Sequence, residues 1–254
     1  MNRASIRTLL AGGLLSATLV TTACSSSPDP SPGVSERSRP TPSPTPSPTQ
    51  EQTDLVSALR RTSAAPYRFR LRAALPENES VQGTGAFDGG AGKFTSTTTL
   101  TSPKHPSSTE RIVLDADYYQ REPGRPWVHL DLGRVKKDSP YHFDRLDPIG
   151  LAKFAGAITY VTRTNPTTYT GRFRPDSGDD PFLPIGAPSL WAVGLPVSPF
   201  TLTVDDRGRV TSISVELTPA DSPTLTMTTT LSAHGEPLNL SAPDAQEADE
   251  TYYD

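Results

Sequence analysis

Apolar and polar side chains alternate with a period of two residues along much of this chain. Residues 67–73 are Tyr-Arg-Phe-Arg-Leu-Arg-Ala, and residues 225–231 place Leu, Met, Thr and Leu on one side and threonine on the other. Because successive side chains of a β-strand point to opposite faces, each segment predicts a strand with one buried and one solvated face. The three arginines lie on the solvated face, where they are either simply hydrated or in contact with a lipid headgroup or an acidic polymer.

Short turns separate these segments, so successive strands are expected to pair as an antiparallel meander. Two helical patterns interrupt them. The first covers residues 54–61, with Thr53 as its N-cap and Pro66 beyond its end, and the second covers 148–156, with Asp147 as its N-cap and Pro148 at its first position. Residues 176–194 are either a lid or a third short helix. About eleven strands are expected, at residues 67–73, 81–87, 93–101, 111–115, 118–121, 127–132, 158–163, 168–174, 200–204, 210–217 and 224–231.

Residues 1–23 have the pattern of a secretory signal peptide. Arg3 and Arg7 precede an apolar run at 9–20, which is too short to span a membrane. The run leads into Thr-Thr-Ala23-Cys24, which resembles the lipobox of bacterial lipoproteins. This resemblance implies cleavage between Ala23 and Cys24 and a diacylglyceryl anchor on the Cys24 thiol, because two acyl chains give stable membrane attachment. The competing interpretation is an ordinary signal peptide, cut elsewhere, that contains a free cysteine.

Residues 24–53 are predicted to be the lipidated cysteine followed by a disordered tether. Proline alternates with serine or threonine at residues 40–48, and Val34 is the only sizeable aliphatic residue of 25–52. Such a segment buries too little apolar surface to offset the entropy of ordering, and its prolines favour an extended spacer of at most roughly 85 Å. An O-glycosylated stalk and a ligand for SH3-like domains are the competing interpretations.

The sequence contains no recognisable motif of enzyme chemistry. His105, His129, His142 and His234 lack the i, i+4 or His-x-His spacing of a metal site. The chain has neither a Gly-x-Ser-x-Gly nor a Ser-x-x-Lys motif. One cysteine excludes an internal disulfide and cysteine-based metal clusters, and a formal net charge of −4 argues against nucleic-acid binding. We therefore expect no catalytic residue, metal, cofactor or nucleic-acid partner.

Four local patterns resemble one family of bacterial lipoproteins. They are Tyr-Arg-Phe at 67–69, Tyr…Gly…Pro-Trp at 118–127, Thr-Leu-Thr-Val-Asp-Asp-Arg-Gly-Arg at 201–209, and His-Gly-Glu-Pro at 234–237 before Ser-Ala-Pro at 241–243. With the lipobox and the tether, their order resembles actinobacterial lipoproteins of the LppX/LprG family, whose fold is that of the lipoprotein carrier LolA. The resemblance implies an α+β fold over residues 54–243, in which one strongly curved antiparallel sheet, a half-barrel, has two or three helices packed on its concave side. Residues 244–254 are predicted to be a flexible acidic tail.

Two functions are compatible with this fold. The first is a monomeric lipoprotein at the outer face of the cytoplasmic membrane, exposed to the cell wall, that binds or carries a lipid, acyl chain or lipoglycan between sheet and helices without covalent chemistry. The second is an envelope interaction or sensor protein with a filled core and no lipid ligand. The residues expected to line a lipid cavity are Phe69, Leu71, Leu114, Tyr118, Leu151, Phe154, Leu202 and Val204, with Leu114 on the same side of its strand as Ile112.

Overall fold

A computed structural model of the protein describes residues 47–75, 78–136, 139, 141–175, 197–218 and 224–253. The predicted signal peptide, Cys24 and most of the predicted tether lie outside these residues, as does the predicted lid or third helix at 176–194. Among the helices of the described ranges, none is long and apolar enough to cross a membrane.

The described residues form one open, curved sheet of twelve strands. Its order is β12-β6-β5-β4-β3-β2-β1-β11-β10-β9-β8-β7, so β1 lies near the middle, between β2 and β11. All neighbours pair antiparallel except β12, which pairs parallel with β6 and was not among the eleven predicted strands. The strands are β1 Tyr67–Leu75, β2 Glu79–Asp88, β3 Lys93–Thr101, β4 Ser107–Leu114, β5 Asp117–Arg121, β6 Trp127–Asp131, β7 Ile158–Asn165, β8 Thr168–Phe173, β9 Ser198–Val204, β10 Val210–Leu217, β11 Leu225–Ser232 and β12 Ala245–Glu247.

The sheet has an apolar inner face and a hydrophilic outer face. Along β1, Tyr67, Phe69 and Leu71 are buried on the inner face, whereas the intervening arginines are exposed on the outer face. β11 alternates in the same way. For β1 and β11, the period-two pattern therefore predicted both the strand and the face that is buried.

The first helix, α1 Gln50–Ser63, begins four residues before the predicted start at residue 54. Thr49 is its N-cap, and the Thr49 hydroxyl accepts a hydrogen bond from Gln52 N at 3.2 Å. Thr53, the predicted cap, lies inside the helix and donates its hydroxyl to Thr49 O at 3.0 Å. The predicted boundary of the tether at residue 53 is therefore wrong, because the ordered part starts before it. The helix is also bonded to the sheet, because the Thr62 hydroxyl accepts a hydrogen bond from Val210 N at 2.8 Å.

The second helix, α2 Leu151–Ala157, begins after Gly150, which is its N-cap at φ 74°. Asp147 and Pro148 belong to the preceding turn, so the predicted helix start is wrong by a few residues. Asp147 still satisfies the helix end, because its Oδ2 accepts a hydrogen bond from Lys153 N at 2.9 Å. The residue chosen from sequence as the capping group therefore caps the helix from outside it.

Two inner-face glycines lie under aromatic rings. Gly85 on β2 is paired with Phe69 on β1, and Gly171 on β8 is paired with Phe200 on β9. A Cβ atom at Gly85 would lie 2.2 Å from the Thr95 carbonyl oxygen and 2.5 Å from Phe69 Cζ. The ring therefore occupies the space of the missing side chain, which accounts for glycine in the interior of this strand.

The C-terminal residues are ordered, so the prediction of a flexible tail at 244–254 is wrong for the residues up to 253. β12 extends the sheet beside β6, and Tyr253 is buried to 7% exposure. The Tyr253 hydroxyl accepts a hydrogen bond from Asp131 N at 3.1 Å, and the Arg134 guanidinium lies 3.9 Å from the centre of its ring. The buried Tyr253 ring and the pairing of β12 therefore hold this segment against the sheet, although its acidic composition had indicated a solvated tail.

His129 connects β12 to the rest of the sheet. Its Nδ1 lies 2.9 Å from Glu247 Oε1 on β12, and its Nε2 lies 2.9 Å from Asp117 Oδ1 on β5. Burial opposes protonation, but the hydrogen bonds and charges of Glu247 and Asp117 outweigh it and raise the pKa of His129 above its usual value. The imidazolium therefore stabilises the folded state more than neutral imidazole does.

We expect the stabilisation that His129 contributes to be present below the ordinary histidine pKa and to be lost as the pH rises through the raised value. Because both carboxylates are largely exposed, the effect is at most about 1 kcal/mol. Urea unfolding of wild type and His129→Gln should differ more near pH ~6 than near pH ~8.5. A difference that is equal at both pH values would show that the ion pairs do not stabilise the fold.

Candidate functional site

Side chains fill the half of the inner face that β7–β10 form. The Phe154 side chain of α2 is fully buried, and its ring meets Phe173 and Phe200 edge-on at centroid distances of 5.3 and 5.1 Å. Leu202 and Val204 of β9 belong to the same buried cluster. The two helices therefore act here as the second layer of an ordinary close-packed core.

The half of the inner face that β1–β5 form contains a cavity of about 190 Å³, which we call the aromatic cavity. Phe143, from the segment 141–149 that covers it, lies 5.0 Å from the Phe94 ring and 5.9 Å from the Tyr118 ring. Phe69 stacks on Phe94 with centroids 6.0 Å apart. The other lining residues are Leu71, Gly83, Ser96, Thr98, Arg111, Tyr141, His142, Pro148 and Ile149.

One cation reaches this cavity from β4. Arg111 is half-buried, and its Nε–H donates to the Tyr118 hydroxyl at 2.9 Å. The Tyr118 hydroxyl donates in turn to Gln120 Oε1 at 3.2 Å. Burial raises the pKa of Tyr118, although the charge of Arg111 acts in the opposite direction, so the phenol remains a neutral donor. Within the described residues Arg111 has no carboxylate partner, and its Nη1 and Nη2 groups have no protein acceptor.

A second cavity, of about 560 Å³, shares two wall residues with the first. Arg111 and Tyr141 line both spaces, and residues of β4, β5 and β6 line the second one. Two further arginines border it, Arg121 and Arg125, and Arg121 is paired with Glu110 at 2.8 Å. The first space is lined mainly by aromatic side chains, and the second is bordered by three arginines.

The two helices form an apolar groove of about 530 Å³. Val56 and Leu59 contribute the α1 side, and Leu151, Ala152 and Ala155 contribute the α2 side. This groove is separate from the aromatic cavity and shares no lining residue with it.

The eight predicted cavity residues fall into four different environments. Phe69, Leu71 and Tyr118 line the aromatic cavity, and their predicted role in lipid binding stays a prediction. Leu151 lines the groove between the helices, and Phe154, Leu202 and Val204 are packed in the core under the helices. The eighth, Leu114, is on the other face of the sheet.

Leu114 was placed on the inner face, and this prediction is wrong. Register places Val113 opposite Phe94 and Tyr118, whereas Leu114 lies opposite Lys93 and Asp117 on the outer face. Three successive apolar residues, 112–114, leave the direction of alternation undetermined from sequence. In the structure, Val113 occupies the inner position and is 2% exposed.

Three important cavity residues were not among the predicted ones. Phe94 could have been identified, because it is the aromatic residue of a threonine-rich strand. Arg111 is two residues from Val113 and therefore lies on the same face of β4. Assigning Leu114 to the inner face placed Arg111 on the outer face, so Arg111 was missed. Phe143 lies outside the helices and strands, where periodicity gives no information about burial.

The described residues contain no group of three or more His, Cys, Asp or Glu side chains able to hold a metal ion. His234 has a structural contact, since its Nε2 lies 3.0 Å from the Val210 carbonyl oxygen. Burial, with the nearby charge of Arg209, lowers the pKa of His234, so it is neutral near neutral pH. Its ring packs beside Tyr67 at 6.5 Å.

Comparison with known proteins gives matches among solved structures alone. No protein-family model matches the chain, and no curated protein matches it. Among solved structures, the chain is similar to a LolA superfamily protein from Nitrosomonas europaea, with 11% identity and a TM-score of 0.30, over 78% of this chain and 96% of that one. Membership of the LppX/LprG family stays a prediction.

Proposed function

We propose that this protein is a non-enzymatic lipid-binding lipoprotein that holds an apolar chain in the aromatic cavity. The observation that carries the proposal is the cavity itself, which is lined by Phe69 and Phe94 on the sheet and by Phe143 of the covering segment 141–149. Binding would come from removing apolar surface from water, at about 25 cal/mol per Å², and would need no covalent chemistry. The pattern at residues 1–24 supports attachment to the membrane through Cys24.

The size and charge of the cavity define how a lipid would lie. A cavity of about 190 Å³ is smaller than the ~300–1,000 Å³ of ordinary ligand pockets, so it would hold part of a chain. The adjoining space of about 560 Å³ would hold the remainder. The unfilled donors of Arg111, between the two, would hydrogen-bond a polar or anionic group of the lipid.

A cavity-filling substitution tests this proposal. Thr98 lies on the inner face and lines the cavity, so Thr98→Phe places a ring in the space proposed for the chain. Thr99, the next residue, is exposed on the outer face, and Thr99→Phe adds the same ring where no lipid would lie. We expect Thr98→Phe to weaken binding of a dansyl-labelled fatty acid by about tenfold or more, and Thr99→Phe to leave it unchanged.

Fluorescence titration measures this binding, and urea unfolding checks that both variants fold. Equal affinity in the two folded variants would contradict binding in this cavity. Native mass spectrometry of the wild-type protein, extracted from membranes in mild detergent, should show co-purified lipid. A lipid-free wild-type protein that also fails to bind the fatty acid would overturn the proposal.

The second candidate is an envelope interaction or sensor protein with no lipid ligand. The observation that favours it is the packed core under the helices, where the buried rings of Phe154, Phe173 and Phe200 meet edge-on. In that case the apolar groove between α1 and α2 would be a contact surface for a protein partner. A lipid-free protein whose stability rises on filling the aromatic cavity would support this function.

A further inference from the structure

Three arginines form a straight row on the outer face of the middle strand of the sheet. Arg68, Arg70 and Arg72 alternate with buried residues along β1, and all three are exposed. Residues two apart on a strand are separated by about 6.6 Å, so the row is about 13 Å long. A chain whose formal net charge is −4 thus concentrates three positive charges on one strand.

No acidic side chain neutralises the row within the described residues. None of the three guanidinium groups makes an ion pair or a side-chain hydrogen bond there. Asp88, at the end of β2 on the same face, is the acid closest in register to Arg68, and its Oδ1 accepts a hydrogen bond from Ala91 N. Glu110, three strands away, is paired with Arg121. The five N–H donors of each guanidinium are therefore open to an external anion.

Uncharged side chains, mostly hydroxyl-bearing, flank the row on both sides. On β11, Thr228, Thr230 and Ser232 lie opposite Arg72, Arg70 and Arg68. On β2, the opposite residues are Gln82, Thr84 and Ala86. Two shallow depressions, of about 510 and 530 Å³, border the row. Arg68, Arg70, Thr84, Thr95, Thr97 and Thr230 line the first.

This combination favours a hydrated polymer over a lipid surface. Proteins that dock in a lipid interface use exposed Trp, Phe or Leu beside their basic residues. The exposed large apolar residues of the described chain are Leu146 and Tyr160, in segment 141–149 and on β7, away from the row. Hydroxyl groups beside arginines instead match a ligand that bears both hydroxyls and regularly spaced anions.

We propose that the row of Arg68, Arg70 and Arg72, with its flanking threonines, binds an acidic polysaccharide along β1. The guanidinium groups pair with successive carboxylates or other anionic groups of the polymer, and the threonines hydrogen-bond to its sugar hydroxyls. The surface is on the opposite face from the aromatic cavity, so polymer and lipid would bind independently. This binding goes beyond the proposed lipid function and does not depend on it.

Polygalacturonate is the probe, with neutral dextran as the uncharged comparison. The test variant is R68T/R70T/R72T, because threonine suits an exposed strand position. The matched control is R145T/R172T/R174T, which removes the same charge from three exposed arginines elsewhere. We expect the row variant to bind polygalacturonate about tenfold or more weakly than wild type, with a flatter dependence on salt, and the control to stay within about twofold.

Equal losses in the two triple variants would overturn the proposal, because net charge alone would then explain the binding. Binding to dextran as strong as to polygalacturonate would overturn it as well, as would the absence of binding by wild type. Vesicles containing phosphatidylglycerol form the last comparison. If wild type binds them through the row but does not bind polygalacturonate, the surface contacts membranes and the polymer proposal is wrong. Titration of the row variant with the labelled fatty acid tests the lipid function separately, because the row and the aromatic cavity lie on opposite faces of the sheet.

Discussion

Replacing Phe154 with alanine is expected to lower the free energy of unfolding by about 3–5 kcal/mol. Phe154 is fully buried in α2, and its ring meets two other phenylalanine rings edge-on. Removing the ring deletes these contacts and leaves a cavity between helix and sheet that the surrounding strands cannot close. Because a domain is usually stable by only 5–15 kcal/mol in total, this single change would remove a large part of the stability. Urea unfolding followed by circular dichroism measures it.

Phe154→Leu is the control for this effect. Leucine keeps most of the apolar volume, and such a change usually costs less than about 1.5 kcal/mol. Phe154 was predicted from sequence to line a lipid cavity, where truncation would weaken lipid binding with a smaller effect on folding. A loss of lipid binding by Phe154→Ala with nearly unchanged stability would therefore restore the predicted role and contradict the packing described here.

The side-chain pattern of the regular strands was sufficient to predict most of the sheet. In β1, arginine alternates with apolar residues. This one observation predicts the strand, the residues that point inward and the residues that point to solvent. Where three apolar residues follow one another, at 112–114, alternation does not show which of them point inward. Leu114 was therefore assigned to the wrong face of the sheet. Phe143 was missed for a related reason, since its burial depends on where segment 141–149 crosses the sheet, which no local pattern determines.

The helix starts show a different limit. Thr49 and Thr53 are four residues apart, and either has the hydroxyl that an N-cap needs. Sequence alone favoured Thr53, because proline-rich composition made residues 24–53 resemble a tether. The structure starts the helix after Thr49, where α1 gains another turn and Gln52 comes within 3.5 Å of the Ile158 carbonyl oxygen. Tertiary contact therefore sets the boundary that composition misplaced.

Deleting the residues after Pro243 is expected to lower the free energy of unfolding by about 2–4 kcal/mol. The truncation removes β12, the contacts of His129 with Glu247, and the buried ring of Tyr253. Burying one large side chain contributes about 1.5–3 kcal/mol, and the hydrogen bond from Asp131 N to the Tyr253 hydroxyl adds about 1 kcal/mol. A flexible tail, as the acidic composition predicted, would be removed without any change in stability. Thermal and urea unfolding of the two lengths distinguish these outcomes.

The truncation should also change how the protein associates. β12 covers the free edge of β6, and an uncovered edge strand presents unpaired N–H and C=O groups to other chains. We therefore expect the shortened protein to self-associate at concentrations where the full chain does not, as measured by light scattering after gel filtration. Tyr253→Phe separates the two effects, because it keeps the ring and β12 but loses the hydrogen bond to Asp131 N. It should cost only about 1 kcal/mol and cause no association; association of this variant would show that β12 does not protect the edge.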